Sequence, residues 1–127
     1  MTGFPPKVRA IIEARSCHLC ELCGDYGVQV HHRLPRKAGG RHGETAIRVN
    51  SPANGLMVCT VCHDIAEGRS VVNRWGNRIR GSREESRRNG WLLRECDSAS
   101  EVAVLTAVGW QMLDDSGRSR SIPQEAS

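Results

Sequence analysis

Aromatic residues are scarce in this chain: three tryptophans, one tyrosine and one phenylalanine make up 4% of 127 positions. With 39% hydrophobic residues in all, the sequence can bury one modest core, and domains of this size often need a staple. A single domain is therefore expected. Long apolar runs are also missing. Nothing approaches the roughly 20 residues of a membrane helix, and the opening "MTGFPPKVRA" lacks the apolar core of a signal peptide. These absences argue against a helical membrane span and lead to the expectation of a soluble, cytoplasmic protein. Lysine is almost absent as well, since 16 of the 18 basic residues are arginine.

The net charge of +4 is unevenly spread. Residues 1–68 carry 8 basic and 6 acidic side chains, residues 69–94 carry 8 and 2, and residues 95–127 carry 2 and 6. The middle stretch, "RSVVNRWGNRIRGSREESRRNGWLLR", is thus a basic belt built only from arginine. Forked guanidinium groups suit phosphate recognition, although a solvated arginine-rich face would look the same.

What the chain does have is cysteine. In a reducing compartment six cysteines read as metal ligands or free thiols rather than disulfides. Cys20 and Cys23 form one C-x2-C pair and Cys59 and Cys62 another, with 35 residues between Cys23 and Cys59. Two such knuckles can each aim two sulfurs at one tetrahedral ion, with zinc the expected metal. Cys17 and Cys20 have the same spacing, but Gly24 directly after Cys23 supplies the permissive backbone a tight knuckle needs. Cys17 and Cys96 then default to small residues or free thiols.

The rest of the chain reads as follows. "PPKVRAIIEARS" (5–16) fits a short helix with Val8, Ile11, Ile12 and Arg15 on one face, and "GVQVHH" (27–32) reads as a strand. "RLPRKAGGRHGETA" (33–46) is a glycine-rich basic loop. "GLMVC" (55–59) is a second strand, and "CHDIAEGRS" (62–70) is a short helix stopped at Gly68. Downstream, "GWLLREC" (90–96), "EVAVLTA" (101–107) and "GWQMLDD" (109–115) resemble three short strands. The polar stretch 116–127 is expected to be disordered.

Between the knuckles lie adjacent histidines, His31 and His32, at a strand end, then Asn54, with His63 directly after the last cysteine. "CELCG", "VHHRLPRKAGG" and "SPANGLMVCTVCH", in that order and with eight residues between Asn54 and His63, resemble the HNH endonucleases. These are the zinc-containing branch of the ββα-metal, or His-Me finger, nucleases. The likeness spans roughly residues 15–70 and is nearest in pattern to the small HNH proteins of actinobacterial phages and prophages. It implies an α+β fold: a small ββα-metal domain stapled by a four-cysteine zinc site, with a helix before it and a β element after it. The corresponding boundaries are 1–94 for the nuclease domain, 95–115 for accessory strands on the same domain, and 116–127 for the tail.

Phosphodiester hydrolysis needs a deprotonated water and a cation beside the developing charge. Neutral imidazole suits proton abstraction near neutrality. Adjacent strand residues point to opposite faces, so His31 and His32 cannot share one task. By resemblance, His31 is a metal ligand, His32 the general base, His63 the second ligand, and Asn54 a support that bonds backbone or imidazole so that His32 keeps its orientation. His63 as a zinc ligand is the weaker reading, because four thiolates suffice. Glu67 lies one helical turn beyond His63. Relatives often have histidine there; a carboxylate gives either a third ligand or a solvated residue. The resemblance thus implies a structural Zn2+ and a second, catalytic divalent ion, Mg2+, Mn2+ or a transition metal. Arg33, Arg36, Lys37, Arg41 and Arg69 are the expected DNA contacts, whereas His18 and His42 read as surface residues. DNA is the expected partner, and the resemblance adds phage terminase or packaging proteins in a host cytoplasm. The alternative is a non-catalytic zinc module that binds DNA or protein, which would have no use for His32 and Asn54.

Overall fold

A computed structural model describes residues 3–36 and 43–123. Helix α1 spans Pro6–Ser16, with proline at its first position and a left-handed Cys17 (φ 56°) ending it. Strand β1 (Gln29–His32) pairs antiparallel with β2 (Gly55–Val58), placing His31 opposite Leu56 and His32 opposite Gly55. Helix α2 (Gly43–Val49) and a single 3-10 turn (Pro52–Asn54) lead into β2, and α3 (Thr60–Ala66) follows it after Cys59. A short hairpin, β3 (Val71–Val72) and β4 (Arg78–Ile79), precedes α4 (Arg83–Arg88). The chain ends in an antiparallel sheet ordered β5 (Val104–Thr106), β6 (Gly109–Leu113) and β7 (Ser119–Ser121). Mixed helices and strands thus make a small α+β protein, and among the described residues no helix is long and apolar enough to cross a membrane.

Strand β2 is the spine. All four of its residues are buried, which explains why it reads as a continuous apolar run rather than an alternating one. Leu56 and Val58 pack on one side with Cys20, Ala53, Val104 and Leu113, so the C-terminal sheet shares a core with the first knuckle. Met57 points the other way, to Phe4 and Ile12. Gly55 lets α1 approach closely, since a Cβ there would lie 2.3 Å from the Ile12 side chain. Arg15, at helical spacing with Val8, Ile11 and Ile12, is held inside: it pairs with Glu21 at 2.8 Å and donates to the Pro52 and Gly55 carbonyls. Glu21 in turn accepts from the Met57 amide at 2.9 Å. One buried ion pair thereby ties α1, the first knuckle and β2 together.

Several expectations require correction. The segment "GWLLREC" is not a strand but a run of turns and bends. Its amides at Trp91 and Leu92 both bond the Ser86 carbonyl, and Leu93 bonds the Arg33 carbonyl, so no sheet partner is left for them. Helix α2 begins inside the stretch read as a loop. Residues 119–121, placed in the disordered tail, form β7 and pair with 111–113.

Arg33 departs furthest from its expected role. It is fully buried (0% exposed) and donates to four carbonyls, those of Gly90, Ala53, Ala99 and Val102, at 2.8–3.0 Å. Its forked donors stitch three chain segments at the core, so none of them is available to a DNA phosphate. Replacing one side chain here strands several carbonyls at about 1–3 kcal/mol apiece, partly relieved by water. Arg33→Leu should therefore lose about 3–5 kcal/mol in denaturant unfolding; a loss under about 1 kcal/mol would show that this network contributes little.

Candidate metal centres

The two knuckles meet. The sulfurs of Cys20, Cys23, Cys59 and Cys62 all lie within 4.8 Å of one another, and Cys23 Sγ is 3.8 Å from Cys59 Sγ. A tetrahedron with bonds of about 2.3 Å has edges of about 3.8 Å, so the group could hold zinc, and the spacing far exceeds a disulfide bond. The local backbone explains the convergence. Gly24 takes φ 88°, and its amide bonds the Cys20 carbonyl at 2.8 Å, closing the first knuckle. Cys59 caps α3, its sulfur accepting from the Cys62 amide. The Cys20 thiol is lowered to about 5, chiefly by its hydrogen bond with Cys62, and the same contact pushes Cys62 up. Burial raises Cys23 to about 11. Crowded sulfurs of this kind compete for protons unless a cation replaces them. Cys17 and Cys96 are exposed and stand outside the group.

A second cluster joins α3 to β1. One donor atom each from His31, His63 and Glu67 falls within 4.8 Å of the others. Glu67 Oε1 is 3.3 Å from His63 Nε2 and 3.9 Å from His31 Nδ1, and the two imidazoles meet edge to face at 5.4 Å. Glu67 sits at the C-cap of α3, one turn from His63, as the helical spacing predicts. Hydrogen bonding to His63 holds its carboxyl below the usual range.

The state of His31 is informative. It is 1% exposed, and burial pulls its imidazole down to about 4, leaving it neutral. Its Nε2 lies 2.6 Å from the Trp91 carbonyl. A carbonyl only accepts, so Nε2 carries the proton and Nδ1 carries the lone pair. Among the described residues, that buried Nδ1 has no hydrogen-bond partner, and it faces a carboxylate. Two electron-rich atoms so placed are stable when a cation lies between them. The donor set therefore fits a divalent ion.

His32 projects to the opposite face of β1. It stacks on Phe4 with centroids 3.9 Å apart, and its Nε2 lies 3.3 Å from Asn50 Oδ1. Burial lowers it to about 4, so it too is neutral at physiological pH. Among the described residues, Asn54 makes no side-chain hydrogen bond to it. The Asn54 amide instead accepts from the Leu34 N–H and donates to the Leu34 and Val49 carbonyls, fastening the chain after β1 to the end of α2. Of the two supports expected of Asn54, the backbone one is present, whereas the imidazole's partner is Asn50. Nothing in the sequence singled Asn50 out, because its register to His32 depends on where α2 ends.

Among the expected DNA contacts, Arg36 and Arg69 are exposed, and Arg69 is paired with Asp64 at 2.9 Å. Lys37 and Arg41, like His42, lie outside the described residues. His18 is exposed, on a left-handed backbone. Compared with protein-family models, with curated proteins and with solved structures, the chain matches none.

Metal binding at a structural zinc site of this kind contributes about 10–16 kcal/mol, as much as or more than the net stability of about 5–15 kcal/mol typical of a domain. Cys59→Ser, or strong chelation of the wild type, should therefore abolish cooperative thermal unfolding and remove the one tightly bound zinc. A zinc-free protein with native melting behaviour would refute the four-thiolate site.

Proposed function

We propose that the protein is a divalent-metal-dependent endonuclease of the HNH type, hydrolysing phosphodiester bonds in DNA. The observation that carries this reading is the orphaned lone pair of His31 Nδ1, aimed at Glu67 and His63. On this reading β1, β2 and α3 form the ββα-metal unit, and the four thiolates hold structural zinc. His31, His63 and Glu67 would hold the catalytic ion, whose chemistry is to neutralise charge on the phosphate and the departing oxygen. Glu67 is a hard oxygen donor, which suits Mg2+ or Mn2+.

His32 is the general base. Asn50 Oδ1 accepts from its Nε2–H, which leaves the Nδ1 lone pair free to take a proton from water as the water oxygen bonds phosphorus. The ester P–O bond on the far side breaks, and the departing oxygen takes up a proton from solvent. Phe4 stacks on the ring and fixes its plane, while Asn54 fastens Leu34 to Val49. Because Asn54 has this structural task, it no longer separates an enzyme from a zinc-stabilised binding module; His31 and His32 do. Arg36 and Arg69 remain candidates for gripping the backbone, joined by Lys37 and Arg41.

Supercoiled plasmid incubated with the zinc-loaded protein and Mg2+, Mn2+, Co2+ or Ni2+ should be nicked or linearised with at least one of them. His32→Ala should cut at least about 100-fold more slowly, a typical general-base contribution, with zinc content and DNA affinity unchanged. Glu67→Ala should raise the metal concentration for half-maximal cutting about ten-fold or more. Wild-type rates from His32→Ala, or no cleavage with any ion, would favour the binding module.

A further inference from the structure

The β3–β4 hairpin exposes an indole that the proposed hydrolysis does not use. Trp75 is 73% exposed, yet its backbone is firmly held. Asn73 Oδ1 accepts from the Trp75 and Asn77 amides at 3.0 Å each, and the Asn73 amide bonds the Asn77 carbonyl at 2.9 Å. Gly76 supplies the required positive φ of 82°. The Arg74 guanidinium lies 4.9 Å from the indole centroid and pairs with Asp25 of the first knuckle, fastening the hairpin tip to the cysteine cluster. Between hairpin and knuckles opens a cleft of about 890 Å³ whose apolar walls include Tyr26, Val61, Ile65, Trp75 and Ile79. Val61 and Ile65 are one turn apart on α3 and line this cleft, whereas His63 and Glu67 lie on another face of the helix.

Charge identifies the occupant. Arg78 and Arg80, on either side of the cleft-lining Ile79, are both exposed, whereas Arg74 and Arg69 are paired with Asp25 and Asp64. A rigid planar ring beside concentrated guanidinium groups matches a nucleotide, whose base stacks while its phosphates take the charge. An apolar peptide would meet the cleft but offer nothing to the Arg78 and Arg80 guanidinium groups. In a duplex every internal base is covered on both faces and only the two end pairs leave one face open, so an unpaired strand offers Trp75 far more stacking sites. We infer that this cleft binds an unpaired base of a DNA strand, stacked on Trp75. The choice of DNA over RNA rests on the proposed function; the binding itself does not.

The test uses the full zinc-loaded chain without added divalent metal, so that binding is read independently of cleavage: a protein that never cuts can still bind, and one that cuts can fail to. Fluorescence anisotropy with a labelled oligo-dT strand and a blunt duplex should show the single strand bound at least about five-fold tighter. Trp75→Ala should weaken strand binding about ten-fold or more and change duplex binding less than about two-fold, while Trp75→Phe keeps most of the affinity. Arg78→Ser should weaken both forms and lower the salt slope by about 0.7–0.9. Because the indole is exposed, zinc content and melting of the Trp75 variants should equal the wild type, which separates stacking from misfolding. Strand affinity insensitive to Trp75→Ala overturns the inference, as does equal binding of the duplex. Failure of both DNA forms to bind also overturns it and leaves the cleft to a protein partner. Tighter binding of oligo-rU than oligo-dT overturns the choice of DNA.

Discussion

Four sulfur atoms from two distant stretches of chain must converge on one point, and much of the architecture follows from that constraint. Cys20 enters the main core beside Leu56 and Val58, while Cys59 ends β2 and caps α3. Once these are joined, β2 cannot slide relative to the first knuckle, and α3 must leave β2 at a fixed angle. The Arg15–Glu21 pair reinforces the same junction from the side of α1. The chain has few aromatic residues with which to build a larger core, so the cysteine cluster takes the structural place that bulk burial would fill in a bigger protein.

The second cluster depends on the first. His63 is adjacent in sequence to Cys62, and Glu67 lies one turn further along the same helix, so fixing the knuckle fixes two of the three donors. The third comes from β1, whose register against β2 is set by Gly55 and Leu56. Trp91 then selects the tautomer of His31 by offering its carbonyl to Nε2. A lone pair left facing a carboxylate in a buried site is unfavourable for the polypeptide alone and would become favourable if a cation were supplied.

The parts of the fold legible in the sequence are those governed by local pattern. Helix α1, strands β1 and β2, and the α3 helix each follow from spacing, capping and turn residues within a few positions. The cysteine pairing was legible because a C-x2-C knuckle is itself a local geometry, and Glu67 because helical periodicity places it over His63. What was not legible depends on distant segments. Arg33 follows two histidines in a basic stretch and reads as a surface cation, yet three remote segments supply the carbonyls that bury it. The apolar pair in "GWLLREC" mimics a strand, but Leu92 and Leu93 are buried by separate tertiary contacts. The polar β7 has no alternating pattern and is a strand only because β6 presents an edge. Asn50 meets His32 through the end of α2, a helix that its glycine-rich approach concealed.

The central proposal is a divalent-metal site at His31, His63 and Glu67, distinct from the four-thiolate group that could hold zinc. Electron paramagnetic resonance of Mn2+ titrated into zinc-loaded protein measures it directly. The account predicts one bound Mn2+ per chain beside a retained zinc, with affinity falling at least about ten-fold in His63→Ala while the zinc stays in place. Absence of Mn2+ binding, or binding indifferent to His63→Ala, would contradict it.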